Sequence, residues 1–88
     1  MKVYAGVYKE VNYLIGENFV GYIEIPKNHN WYMQPINNYL IETKNYLDTP
    51  IIYKDKHYIT FQMLNPVDDN LDDVLAECKN IIEQLWRN

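Results

Sequence analysis

The stretch from Asn70 to Trp86, NLDDVLAECKNIIEQLW, decides the fold. Leu71, Val74, Leu75, Cys78, Ile81, Ile82, Leu85 and Trp86 recur at steps of three and four, and Asp72, Asp73, Glu77, Lys79, Asn80, Glu83 and Gln84 fill the opposite side. That spacing predicts one amphipathic helix of about four to five turns. Asn70 is a good N-cap, Asp73 stands three residues on as its capping-box partner, and the aspartates lie at the positive end of the helix dipole. Nothing upstream repeats this pattern clearly. The rest of the chain therefore has to supply a sheet for the apolar stripe to cover.

Working outward, His57 to Leu64 alternates His57, Ile59, Phe61, Met63 against Tyr58, Thr60, Gln62, Leu64, and Lys54-Asp55-Lys56 joins it to Ile51-Ile52-Tyr53 as a hairpin. Phe19 to Ile25 is a second strand, with Phe19, Gly21, Ile23 and Ile25 on one face, ended by Pro26. Lys2 to Val11 reads as one strand with an aliphatic face (Val3, Ala5, Val7) and a tyrosine face (Tyr4, Tyr8), in which Gly6 marks a bulge or a close approach by another side chain. Tyr13 to Ile15 continues that strand or begins another, and Gly16-Glu-Asn18 is the turn into the next. Gln34 to Tyr46 is ambiguous: Pro35 suits the first position of a helix with Ile36, Tyr39, Leu40, Thr43 and Tyr46 on one stripe, and a strand over Tyr39 to Thr43 fits nearly as well. The expected fold is a single α+β domain over residues 1–88, a mainly antiparallel sheet of about four strands with the C-terminal helix packed across it.

Composition narrows the function classes. Apolar residues make up 48% of the 88 residues and aromatics 15%, with nine Tyr, which suits a folded core rather than a disordered chain. So many aromatics are hard to bury in one small core, so an exposed aromatic patch and a homodimer are expected. The net charge of −4 resides wholly in residues 61–88, because the six acids and six lysines of residues 1–60 cancel. Nucleic-acid binding needs a basic face, so direct DNA or RNA contact is not expected. One cysteine and no apolar leader or spanning run suit a reducing cytoplasm and no membrane partner.

Little in the chain suggests catalysis. Cys78, His29 and His57 have no paired short spacing, so neither a metal nor a cofactor is expected. The three glycines are scattered and none opens a helix, which leaves no phosphate-cradling loop. Cys78 lies on the apolar stripe and reads as a core residue. His29, between two asparagines, is the one candidate general acid or base, although its plainer reading is a solvated loop residue. Trp31-Tyr32-Met33 reads as a plug over the core edge or, alternatively, as an exposed anchor for a partner. Asp69, Asp73 and Glu77 repeat every four residues, roughly 6 Å apart along a helix, which is near the spacing of nucleic-acid phosphates. They form either a solvated charged face or a stripe that mimics nucleic acid in another protein's basic groove.

The segment Gly21 to Tyr32, GYIEIPKNHNWY, resembles the G-Y-V-x-V-P-K-x-H-P-W-Y segment of a group of small bacteriophage and mobile-element proteins, and Glu77 to Leu85 is similar to their closing helix. Their His-Gly-Gly and Phe-Asp-Cys-x-His-like segments have no counterpart here; Thr60 to Asn65 stands where the second would fall. The resemblance implies a phage-type accessory protein and no particular reaction. The expected function is thus non-enzymatic binding, as an inhibitor of a bacterial host or defence protein, with Tyr22, His29, Trp31, Tyr32, Asp69, Asp73 and Glu77 as candidate contacts. The alternatives are sequestration of a small molecule or nucleotide in a pocket of Tyr22, His29, Trp31 and Tyr32, and a small enzyme using His29.

Overall fold

The computed structural model describes residues 2–35, 40–65 and 70–88. Its first element is not the single long strand that alternation suggested. Lys2–Tyr8 (β1) pairs antiparallel with Val11–Gly16 (β2), and the chain reverses at Lys9 and Glu10, both left-handed at φ 47° and 67°. Two successive positive φ values give the mirror-image turn whose twist matches a hairpin. Lys-Glu carries none of the usual Asn-Gly signal, so the turn was invisible in the sequence.

The second reversal falls where Gly16-Glu-Asn18 marks it. Glu17–Phe19 form a single 3-10 turn, Asn18 has φ 61°, and the Gly16 N–H donates to the Val20 carbonyl at 2.8 Å. Asparagine tolerates that backbone better than most residues. Gly21–Glu24 (β3) then pairs antiparallel with β2 and, on its other edge, with Lys56–Gln62 (β6). Two short strands share the far edge of β6: Tyr46–Leu47 (β4) pairs near its end and Ile51–Tyr53 (β5) near its start. Among the described residues the sheet has six strands rather than about four, all antiparallel, in the order β1-β2-β3-β6-β4 with β5 beside β6. The two extra strands come from the unseen first turn and from the two-residue β4.

Leu71–Trp86 (α1) lies across one face. Asn70 accepts from the Asp73 N–H at 3.1 Å, and the Asp73 carboxylate accepts from the Asn70 N–H at 3.0 Å, so both halves of the capping box form. Val74, Cys78, Ile81, Ile82 and Leu85 are fully buried against Val11, Ile15, Ile23, Ile25, Ile59 and Phe61 in one core. Each large aliphatic side chain removed from water contributes about 1.5–3 kcal/mol.

Two glycines let aromatic rings lie flat on the sheet. A Cβ on Gly6 would stand 2.5 Å from the Tyr13 hydroxyl, and one on Gly21 would lie inside the Phe61 ring surface. The close approach expected at Gly6 is therefore the Tyr13 side chain.

In the ambiguous middle segment, Ile36 to Tyr39 lie outside the described residues. Leu40 to Thr43 are neither helix nor strand. Side chains of α1 hold this segment instead: the Glu42 N–H donates to Gln84 Oε1 at 2.6 Å, and Gln84 Nε2 donates back to the Glu42 carbonyl at 2.7 Å. A backbone satisfied by side chains in this way has no need of a helical or sheet ladder.

Candidate functional site

The candidate residues separate into three places. Tyr22 is on β3, and because Gly21 and Ile23 point into the core, its side chain lies on the helix-free face of the sheet. His29, Trp31 and Tyr32 belong to the loop after β3, on the helix side. Asp73 and Glu77 are on α1, and Asp69 lies outside the described residues.

The loop after β3 is built from short turns: the His29 N–H donates to Pro26 O, Tyr32 N–H to His29 O and Gln34 N–H to Trp31 O, each at 3.0 Å. Both histidines fasten it. His29 is 8% exposed, so it is not the solvated loop residue that its flanking asparagines suggest. Its Nε2 donates to the Leu85 carbonyl in the last turn of α1 at 2.7 Å, a carbonyl that also accepts the Asn88 N–H at 3.2 Å. Its Nδ1 accepts from the Trp31 N–H at 2.9 Å, which fixes the tautomer. His57, fully buried, accepts the Met33 N–H on Nδ1 at 2.7 Å, and burial lowers its pKa from the ordinary value. A buried ring accepting a backbone N–H is held neutral.

Trp31 is buried and packs edge-on against His29, so the triplet is a plug over the core at its first member. Tyr32 is half-buried, and its hydroxyl donates to the Asp55 carbonyl, tying this loop to the β5–β6 turn. Lys27 and Asp55 bridge the same two loops at 2.6 Å, which holds the Asp55 carboxyl below its usual range. Tyr22 is thus parted from His29, Trp31 and Tyr32 by the sheet itself, and these four do not converge on one pocket.

The acidic repeat along α1 is not an open stripe either. Asp73 is exposed and occupied by its cap, whereas Glu77 is 7% exposed. The Glu77 carboxylate accepts from Thr43 Oγ1 at 2.8 Å, from Asn80 Nδ2 at 2.7 Å and from Asn45 Nδ2. Together with Gln84 it clips the segment Glu42 to Asn45 onto the helix. A cleft of about 720 Å³ opens beside this clip, between Lys44, Leu64, Asp73 and Ala76. Cys78 is fully buried next to Glu77, and burial pushes its thiol up to about 12, which keeps it protonated and unreactive.

Sequence reasoning missed the helix-free face of the sheet. Register places Ala5, Val7, Asn12, Leu14, Tyr22, Glu24, Lys56, Tyr58, Ile51, Tyr53 and Tyr46 there, opposite the core residues with which they alternate. Val7 is 67% exposed, Tyr53 62% and Tyr46 60%. The expected exposed aromatics are therefore real, and two of them lie on this face at the β4 and β5 end. The signal was available: once His57, Ile59 and Phe61 are assigned to the core, Tyr58 and its neighbour Ile51 must face away.

Among the described residues, no group of three or more His, Cys, Asp and Glu side chains is placed to hold a metal ion, and no helix is long and apolar enough to cross a membrane. In comparisons with known proteins, no protein-family model, no curated protein and no solved structure matches this chain.

Proposed function

We propose that this chain is a non-enzymatic accessory protein of the phage type that inhibits a bacterial protein in the host cytoplasm by binding it, and that the β4–β5 end of the helix-free sheet face is the contact surface. The observation that carries this reading is the exposure of Tyr46, Ile51 and Tyr53 on one sheet edge. Tyrosine is enriched where proteins meet, because it offers apolar area with a polar tip at little entropic cost. An outer edge of short strands also leaves backbone groups for a partner to use. The placement of the chemistry-bearing groups supports binding over catalysis: His29 and His57 are fastened to backbone and Cys78 is sealed in the core. Sequestration of a small molecule is the second reading, favoured by the clefts on either side of the sheet.

The test is capture of tagged protein from bacterial lysate with three baits: the native chain, Tyr46→Thr/Tyr53→Thr, and Asp72→Asn on the exposed helix face. One host protein, retained by native and Asp72→Asn baits and lost with the tyrosine pair, is expected, and its activity should fall in proportion to added protein. Loss with Asp72→Asn alone would move the surface to the helix. Capture only of the chain itself would replace the inhibitor reading with self-association.

A further inference from the structure

On the helix-free face, across β6 from β5, the twisted strands β1, β2, β3 and β6 line a concave pocket of about 370 Å³. That volume lies within the range of small-ligand sites, about 300–1,000 Å³. Its walls are apolar where they come from Ala5, Val7, Leu14 and the Tyr58 ring. Val7 is unusual there: a β-branched residue two-thirds exposed on a strand whose alternate positions pack against Tyr13 and β2.

Polar groups converge at one side. Glu24 Oε1 and Lys56 Nζ stand 3.9 Å apart, close enough to attract and too far for a direct hydrogen bond. The Lys56 side chain is half exposed and that of Glu24 about a quarter. Asn12, on the same wall, adds an exposed amide that offers both a donor and an acceptor.

We infer that this pocket binds a small zwitterion with an apolar body, an aliphatic or aromatic α-amino acid being the simplest example. A ligand with one charge meets attraction from one member of the Glu24–Lys56 pair and repulsion from the other. A ligand whose ammonium and carboxylate are one carbon apart lies across the pair with both signs matched, its carboxylate toward Lys56 and its ammonium toward Glu24. Its body then covers Val7, which the fold leaves in water, and Leu14 and Tyr58, which it leaves half-buried. The inference does not rest on the protein-binding reading: Tyr53 stands opposite Lys56 on the neighbouring strand, but neither Tyr46 nor Tyr53 lines the pocket.

The experiment is titration of the isotope-labelled chain, followed by backbone amide NMR, with L-phenylalanine, L-leucine, glycine, phenethylamine and 3-phenylpropanoate. Saturable shifts confined to Ala5, Val7, Leu14, Lys56 and Tyr58 are expected with phenylalanine or leucine in the millimolar range. Each phenyl analogue lacks one charge and should bind more weakly by up to about fivefold, the upper worth of one partly exposed charge pair, and glycine, which keeps both charges but lacks the body, should show no saturable shifts in the same range. Lys56→Met and Glu24→Gln should each weaken phenylalanine by a similar factor, and Val7→Lys should abolish the shifts. Unchanged melting temperature and unchanged core amides establish that these variants fold. Absence of saturable shifts, equal binding by the singly charged analogues, or indifference to Val7→Lys would each overturn the inference. Pull-down results with the tyrosine pair are unaffected by any of these outcomes.

Discussion

The two faces of the sheet use the same strands for opposite ends. On the helix side, Val11, Ile15, Ile23, Ile59 and Phe61 are closed to solvent by the stripe of α1, and even the polar groups there, His29, His57 and Gln84, are fastened to backbone. On the other side, Val7, Tyr46, Ile51 and Tyr53 stand in water, and charges meet loosely, as at Glu24 and Lys56. A domain this small has one core to build, and it builds it on one face. The side chains exposed on the second face, Val7, Tyr46, Ile51 and Tyr53, then contribute little to stability.

The largest effects should come from the covered face. Ile82 is fully buried on the middle of the α1 stripe, so Ile82→Ala should cost about 2–5 kcal/mol, the transfer and cavity cost of a buried aliphatic side chain. For a chain of this length that is a large part of the total stability, and urea denaturation should show the midpoint collapse. Val7→Ala, an aliphatic truncation on the open face of the sheet, should leave the midpoint within about 0.5 kcal/mol of native. Equal losses at both positions would mean that the second face is covered in solution.

Gly21→Ala should follow, at about 1–3 kcal/mol, the usual cost of overpacking. The added methyl meets the Phe61 ring, which is itself walled in and has nowhere to move. Phe61→Leu in the same chain should recover part of the loss if the clash is with the ring, whereas a purely conformational effect of losing glycine would not be relieved.

A third expectation concerns acid. Burial holds His57 below its ordinary pKa, so the folded chain keeps the ring neutral while the unfolded chain begins to protonate. The stability this neutral ring lends is complete above the unfolded value of about 6.5 and is lost as pH falls below it, by at most about 1.4 kcal/mol per pH unit. Protonation would also take Nδ1 from the Met33 N–H. Denaturant midpoints measured between about pH 7.5 and 5 should therefore fall for the native chain and fall less for His57→Gln. Parallel slopes would place the acid sensitivity elsewhere.

Legibility followed the same division. The helix, its Asn70 cap, the Asp73 capping box and the Ile51–Gln62 hairpin were readable because spacing and local chemistry agree there. The Lys9-Glu10 turn was not, since its signal is a backbone conformation that neither residue advertises. His29 misled because its burial depends on the end of a helix that follows 56 positions later, and Glu77 because its partners Thr43 and Asn45 come from a segment whose pattern fits helix and strand alike. Neighbouring asparagines report local polarity only. The candidate surface was the least legible part, because residues such as Tyr46 and Tyr53 acquire a common face only once β4 and β5 are both set against β6.

The smallest thermodynamic effect carries the most functional weight. Tyr46 and Tyr53 are mostly in solvent, and threonine keeps a strong preference for extended backbone, so Tyr46→Thr/Tyr53→Thr should move the urea midpoint by no more than about 0.5 kcal/mol per site. Tyr53 also gives up a contact with the Lys54 ammonium, 5.3 Å from its ring centroid, and at an exposed site that interaction is weak. If the pair behaves so and still removes a bacterial partner, the loss belongs to the surface and not to the fold. A drop as large as that of Ile82→Ala would instead mean that the tyrosines are already covered, most simply by a second copy of the chain, and the midpoint would then rise with protein concentration.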